Sequence, residues 1–290
     1  MAEPLPICYV NGQFVPIDAA RISPFDRGFL FADGVYEVMP VYAGRPFRFE
    51  AHCERLTRSL HQIAMADPLS RSQWRDLIAT MIERNGGSDQ YVYWQVTRGM
   101  ERGRNHAPLP DIPRTVFAFC APLPVWGQRV LDGGIACVTA QDTRWARCDI
   151  KSVSLLANAL LRQLSVDAGA AETILLRDGE LTDASASTVY VVVNGELRAP
   201  PNSRAILPGT TRSVLEEITD RARIPYRIGP VTESDLRGAD EVWLTSSTRE
   251  VMAVTTIDGQ PVGTGKPGPL WQRAYDAFQS YKREQADQPW

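Results

Sequence analysis

Lysine is nearly absent from this chain: among its 31 lysines and arginines only Lys151, Lys266 and Lys282 are lysines. Histidine is as sparse, with His52, His61 and His106 far apart, a spread that excludes a histidine-rich metal centre. The five cysteines, Cys8, Cys53, Cys120, Cys137 and Cys148, are odd in number and show neither close pairing nor zinc-type spacing. Such usage fits reduced thiols, not a disulfide framework, and no metal is expected. No apolar run approaches the roughly 18 residues of a membrane span. The opening Met-Ala-Glu-Pro-Leu-Pro-Ile has an early acid and two prolines where a signal peptide needs an apolar stretch. A cytoplasmic location with no membrane partner is the expectation. With a net charge of -3 and arginines dispersed among acids, the chain has no basic stripe, so nucleic acid is not an expected partner. Missing also is a Gly-x4-Gly-Lys-Ser/Thr loop, which removes the P-loop reading.

What is present is enough apolar material, 44% of 290 residues, for one large or two medium domains. Asn11-Gly12 between two short apolar runs predicts a hairpin over residues 9–15. Strands are expected at 34–42, 45–49, 91–97 and 115–120, with helices at 50–65 and 72–84, the second ended by Asn85-Gly86-Gly87. Beyond a Pro-rich stretch at 121–127, strands are expected at 134–140, 172–177, 188–193, 241–245 and 251–257. Helices are expected at 155–166, 211–223 and 269–284. In the first of these, Leu156, Ala159, Leu160 and Leu164 fall on one stripe; in the second, Val214, Leu215, Ile218 and Ala222 should face inward. The class is mixed α/β (α+β) in two halves, a small one at 1–120 and a larger one at 128–290, joined by a linker at 121–127.

Lys151 stands out by position, inside Cys148-Asp149-Ile150-Lys151-Ser152 and directly before an apolar helical stretch. An amine that must act as a nucleophile has to be a lysine, because guanidinium stays protonated while a desolvated ammonium can lose its proton. Leu207-Pro208-Gly209-Thr210-Thr211-Arg212 enters a helix, where free backbone N–H groups and the helix dipole suit a phosphate. Ordinary capping by Thr210, Thr211 or Ser213, the last in a capping box with Glu216, would leave the same pattern. Thr245-Ser246-Ser247-Thr248 closes an apolar strand with four hydroxyls, as a phosphate cradle or a plain polar turn would. A lysine, a phosphate cradle and a carboxylate, Asp183, able to face a pyridinium nitrogen are the parts pyridoxal phosphate needs.

The run Gly28-Phe-Leu-Phe-Ala-Asp-Gly-Val-Tyr-Glu-Val-Met-Pro-Val-Tyr42, with Arg147-Cys-Asp-Ile-Lys-Ser152, resembles the class IV pyridoxal-phosphate aminotransferases, most closely the bacterial D-amino acid aminotransferases. The likeness extends from Tyr9 to about Ile257. It implies a two-domain fold with pyridoxal 5'-phosphate in the interdomain cleft, the larger C-terminal domain binding the cofactor, in a homodimer whose partner completes the site. On this resemblance Lys151 holds the cofactor as a Schiff base and acts as acid and base. Arg55, Thr210, Thr211, Ser246 and Ser247 take the phosphate, Leu207 lies beneath the ring and Asp183 faces its nitrogen. Tyr36, Arg104 and His106 form a trap for the substrate carboxylate, the last two arriving from the neighbouring subunit, and Val38 helps to shape the side-chain pocket. A planar guanidinium with a phenol and an imidazole suits a carboxylate chemically. The expected activity is ping-pong transamination between D-amino acids and 2-oxo acids. Rival expectations are an aminodeoxychorismate-lyase-like or branched-chain or (R)-amine transaminase activity, and a cofactor-free structural or binding homodimer. The family usually has glutamate at the place of Asp183, serine at Ala186 and asparagine at Thr188. The shorter carboxylate is expected to weaken the hold on the cofactor or slow turnover.

Overall fold

A computed structural model describes residues 3–286 and Trp290. Its contacts divide the chain into two units. One comprises Met1–Pro124, Ile150–Ser154 and the end from Ala286; the other comprises Val125–Asp149 and Leu155–Gln285. The segment that carries Lys151 thus belongs to the first unit although it is embedded in the sequence of the second.

The first unit begins with strands β1 (Ile7–Val10) and β2 (Gln13–Pro16), paired antiparallel around Asn11-Gly12. Both turn residues have positive φ, 46° and 95°, the left-handed pair that a two-residue hairpin requires. A 3-10 turn (Ile17–Ala19) and helix α1 (Arg27–Phe31) lead into β3 (Gly34–Tyr42) and the two-residue β4 (Arg45–Pro46). Helices α2 (Phe49–Gln62) and α3 (Arg71–Arg84) follow, then β5 (Gln90–Thr97) and β6 (Thr115–Pro122). The strand expected over 45–49 is therefore cut short: Arg48 turns the chain at φ 61° and Phe49 already opens α2. The sheet runs β2-β1-β6-β5-β3-β4, antiparallel throughout. Alternation along the strands sends Val35, Met39, Val41, Val92, Trp94, Val96, Val116, Ala118 and Cys120 into a core with Cys53, Leu56 and Leu60 of α2 and Trp74, Leu77, Ile78 and Met81 of α3. Each such leucine contributes roughly 1.5–3 kcal/mol by leaving water. The opposite face carries an aromatic row, with ring centroids of Tyr36 and Tyr93 5.5 Å apart and those of Tyr93 and Phe119 5.0 Å apart.

The second unit contains α4 (Gln128–Gly133), β7 (Ile135–Gln141), α5 (Leu156–Asp167), β8 (Glu172–Arg177), β9 (Glu180–Ala184), β10 (Thr188–Val193) and β11 (Glu196–Ala199). It continues with α6 (Thr210–Arg221), β12 (Tyr226–Ile228), α7 (Glu233–Arg237), β13 (Glu241–Ser246), β14 (Glu250–Ile257), β15 (Gln260–Pro261) and α8 (Pro269–Ala286). The sheet runs β12-β11-β10-β13-β14-β7-β8-β9, with β15 beside β14. The β14–β7–β8 centre is parallel. Burial on both faces explains why β8 and β10 read as unbroken apolar runs: Ile174 to Leu176 and Val189 to Val192 are all buried. In α6, Val214, Leu215 and Ile218 face inward as expected, whereas Ala222 is half-buried just past the helix end. The apolar stripe of α5 points outward: Leu156, Leu160 and Leu164 are 75%, 63% and 47% exposed, and only Leu161 and Ser165 of that helix are buried.

Candidate active site

In the first unit the lysine segment docks along the edge of β3. Tyr36 N donates to Lys151 O at 3.0 Å, Val153 N to Gly34 O at 3.0 Å, and Val35 and Ser152 form an antiparallel bridge. Ile150 anchors the segment in the core, and Lys151 N donates to Ser59 Oγ of α2 at 3.3 Å. The side chain is thereby led over the aromatic face, with Lys151 Nζ 4.2 Å from the Tyr36 ring centroid. The ring quadrupole attracts the ammonium there.

The strand's alternation that turns Tyr36 and Val38 to this face turns Glu37 to the other. His52, Arg55 and Ser59 sit at i, i+3 and i+7 on one face of α2. Arg55 grips Glu37 with two bonds, Nε to Oε1 at 2.8 Å and Nη2 to Oε2 at 2.7 Å, and His52 Nδ1 lies 2.8 Å from Oε2. Burial alone would raise the Glu37 pKa. The Arg55 guanidinium and His52 outweigh it and hold the carboxyl at about 2. Burial pushes His52 down against the pull of Glu37, so the ring is neutral and donates its Nδ1 proton to the carboxylate. Arg55 is thus held rigidly by a bidentate pair.

Arg104 and His106 lie exposed in the loop between β5 and β6. Their ring contacts are with Phe31, the Arg104 Cζ 5.2 Å and the His106 ring 5.5 Å from its centroid, whereas Tyr36 contacts Tyr93 and Lys151.

In the second unit Asp183 is buried on β9, with Leu207 N at 3.5 Å and Arg144 Nη1 at 3.4 Å from its Oδ2. Its Oδ1 is buried without a hydrogen-bond partner among the described residues. Burial pushes this carboxyl up to about 6 although Arg144 opposes the shift. Arg144 is held by Asp142 through Nε at 2.9 Å and Nη2 at 3.0 Å, and donates to Ala205 O at 3.1 Å. Thr182 Oγ1 also donates to Asp142, at 2.9 Å. Arg144 and Asp142 were not singled out in the sequence, where Asp-Thr-Arg after a strand reads as any polar strand end.

Helix α6 starts at Gly209 with no side-chain cap. The capping box considered for Ser213 and Glu216 does not form: Ser213 Oγ donates to Thr210 O, and Glu216 Oε1 accepts from Arg212 Nε at 2.8 Å and from the Tyr226 hydroxyl at 2.9 Å. Tertiary partners have taken the glutamate. The first amides of α6, beside buried Thr210 and Thr211, thus keep the anion-binding character of an uncapped helix start. Ser246 ends β13 and Ser247 begins its turn; Arg249 N donates to Ser246 Oγ at 3.2 Å.

These features fit pyridoxal phosphate. An orphaned, buried carboxylate oxygen suits a pyridinium N–H, and an uncapped helix start suits a phosphate. The sequence pattern described as amino-transferase class IV matches residues 34–257. The chain belongs to the class IV aminotransferase family. A D-alanine aminotransferase of Listeria monocytogenes serotype 1/2a (strain 10403S) is 36% identical over 93% of both chains. Another, of Bacillus licheniformis, is 36% identical over 93% of this chain and 95% of its own. Among solved structures, the T.th. branched-chain amino acid aminotransferase with pyridoxamine 5'-phosphate superposes with a TM-score of 0.88 at 26% identity, covering 95% of this chain and 93% of that one. The branched-chain aminotransferase of Escherichia coli gives 0.86 at 22% identity, over 95% and 94%. The expected mixed α/β fold of this family is the one observed.

Proposed function

We propose that this chain is a pyridoxal-phosphate-dependent transaminase that moves amino groups between D-amino acids and 2-oxo acids in a ping-pong cycle. The observation that carries this reading is the likeness to D-alanine aminotransferases over nearly the whole of both chains. The buried, unpartnered Asp183 oxygen supports the cofactor assignment independently.

Bound pyridoxal phosphate supplies a carbonyl carbon that bonds reversibly to amines and a ring that withdraws electrons. Lys151 would provide the amine that holds it and, once displaced, would take the proton from the donor's α-carbon in one half-reaction and deliver one to the acceptor's α-carbon in the other. The Tyr36 ring keeps Nζ from wandering between these tasks. Asp183 would accept the ring N–H, which would favour its charged form, and Arg144 keeps the carboxyl oriented. Arg55, Thr210, Thr211, Ser246 and Ser247 would take the phosphate, and Leu207 would supply an apolar contact for the ring. Tyr36, Arg104 and His106 receive the substrate carboxylate, and Val38 borders its side chain.

A homodimer accompanies this reading. The outward leucines of α5 in the second unit, and Phe25 and Phe29 at 50% and 75% exposure in the first, are apolar surfaces of the sort a second copy covers. No described helix is long and apolar enough to cross a membrane, and the proposed site of action is the cytoplasm.

The experiment is a pair of half-reactions on the purified protein, which should be yellow with bound cofactor. D-alanine should convert the cofactor absorbance to that of the amine form and L-leucine should not. Reaction with L-leucine alone would put the chain with the branched-chain enzymes, and a colourless protein indifferent to added cofactor would remove the enzyme reading.

A further inference from the structure

Arg27 is an arginine buried at 3% exposure at the start of a five-residue helix, and it plays no part in the cofactor assignments. Its guanidinium is engaged along three sides. Nε donates to Asp33 Oδ2 at 2.9 Å, Nη1 to Glu101 and to Asn105 O at 2.7 Å, and Nη2 to His106 O at 2.8 Å. The backbone of the same residue is bolted to the base of the loop, Arg27 N donating to Gly99 O at 2.9 Å. Glu101 closes the loop from the other end by accepting from Leu109 N at 3.0 Å through its second oxygen. Arg98 balances the charge by pairing with Asp33 at 2.7 Å. The carboxylates outweigh the burial of Arg27 and hold its charge more firmly than usual.

Phe31, one turn further along α1, lies with its ring centroid 4.5 Å from the Arg27 Cζ and 5.2 Å from the Arg104 Cζ, and its ring meets that of His106. One planar fork therefore captures the two carbonyls that follow Arg104, and one ring serves as platform for both side chains of the loop. A loop without regular structure incurs a large ordering cost each time it meets a ligand, unless it is already fixed.

We infer that Arg27 and Phe31 are positioning residues for recognition of the substrate carboxylate. They hold the 101–109 loop in one conformation, so that Arg104 and His106 meet the carboxylate pre-arranged. Arg27 itself is committed to protein acceptors and acts only through the loop. This rests on the transaminase reading above. Lysine cannot replace it, because a single ammonium cannot span acceptors arranged around a planar fork.

The test uses the holoenzyme with Arg27→Lys and Phe31→Leu, measuring KM and kcat for D-alanine and the affinity for propionate, a carboxylate without an amino group. The expected result is a KM raised about tenfold to a hundredfold for Arg27→Lys and less for Phe31→Leu. Propionate affinity should fall in parallel, while kcat and the cofactor absorbance stay near the wild-type values. Should Arg27→Lys fail to fold, Phe31→Leu, which leaves every buried ion pair in place, decides the matter. Unchanged KM and propionate affinity in a folded variant, or a fall in kcat at constant KM, overturns the positioning role alone. A wild-type protein that does not convert D-alanine overturns the transaminase reading and this inference with it.

Discussion

Replacing Glu37 with Gln removes one negative charge from the buried centre of the first unit while keeping the shape of the side chain. Arg55 then loses the charge that faces two of its nitrogens, and one of the two oxygens that accept from Arg55 and His52 becomes an NH2 donor. Removing one partner of a buried ion pair costs about 3–5 kcal/mol. The depression of the Glu37 pKa from 4.5 to about 2 gives the same scale, roughly 3 kcal/mol. A carboxyl whose pKa is depressed in the folded chain stabilises it fully above its unfolded value of 4.5, and that contribution disappears as the pH falls through about 2. The difference between wild type and Glu37→Gln should therefore be roughly 3 kcal/mol at pH 7 and narrow by about 1 kcal/mol at pH 3.5. Hydrogen exchange of the α2 and β3 amides reads this unit by itself. A difference below about 1 kcal/mol at neutral pH, or one that does not narrow in acid, would mean that the Glu37 charge does not stabilise this unit.

Asp183 titrates in the opposite sense. Its folded pKa is raised to about 6, so the folded chain binds a proton more readily than the unfolded one, and cofactor-free protein should lose stability as the pH rises from about 4 to 6. Asp183→Asn should flatten that part of the melting profile, and a slope that persists in the variant would show that another group is responsible. Asp183→Glu restores the family's usual carboxylate and should tighten cofactor binding or raise turnover; no change in either, by cofactor titration and steady-state kinetics, contradicts the expected cost of the shorter side chain. Leu160→Glu on the exposed stripe of α5 should shift the protein from dimer to monomer in size-exclusion chromatography, and an unaltered dimer would place the interface elsewhere.

Much of the frame was legible because it rests on local physics. Asn11-Gly12 demands left-handed backbone, and the apolar run of β10 has no other reading once burial on both faces is allowed. The strand bearing Asp183, Glu180–Ala184, is not legible in the sequence because five mostly polar residues carry too little pattern. Helix α1, at five residues, is too short to display a helical period. The α5 stripe was visible as periodicity, but spacing does not say which way a helix faces. Ser213 and Glu216 have capping-box spacing, and Arg212 and Tyr226 claimed the glutamate, partners that only the tertiary structure supplies. Among site residues, Lys151 could be suspected from its setting. Arg144, Asp142 and Arg27 could not, since a buried arginine and a solvated one look alike in a chain so rich in arginine. The structure joins Lys151 to Tyr36 and Asp183 to Leu207, each within its own unit.

On this reading Lys151 is the residue that carries the cofactor. Borohydride reduction of the yellow protein, followed by proteolysis and mass spectrometry, tests it most directly. The expected result is a phosphopyridoxyl group on the peptide containing Lys151, and a Lys151→Ala protein that folds, takes up no such label and does not transaminate D-alanine. A label on Lys266 or Lys282, or appreciable turnover by Lys151→Ala, would contradict it.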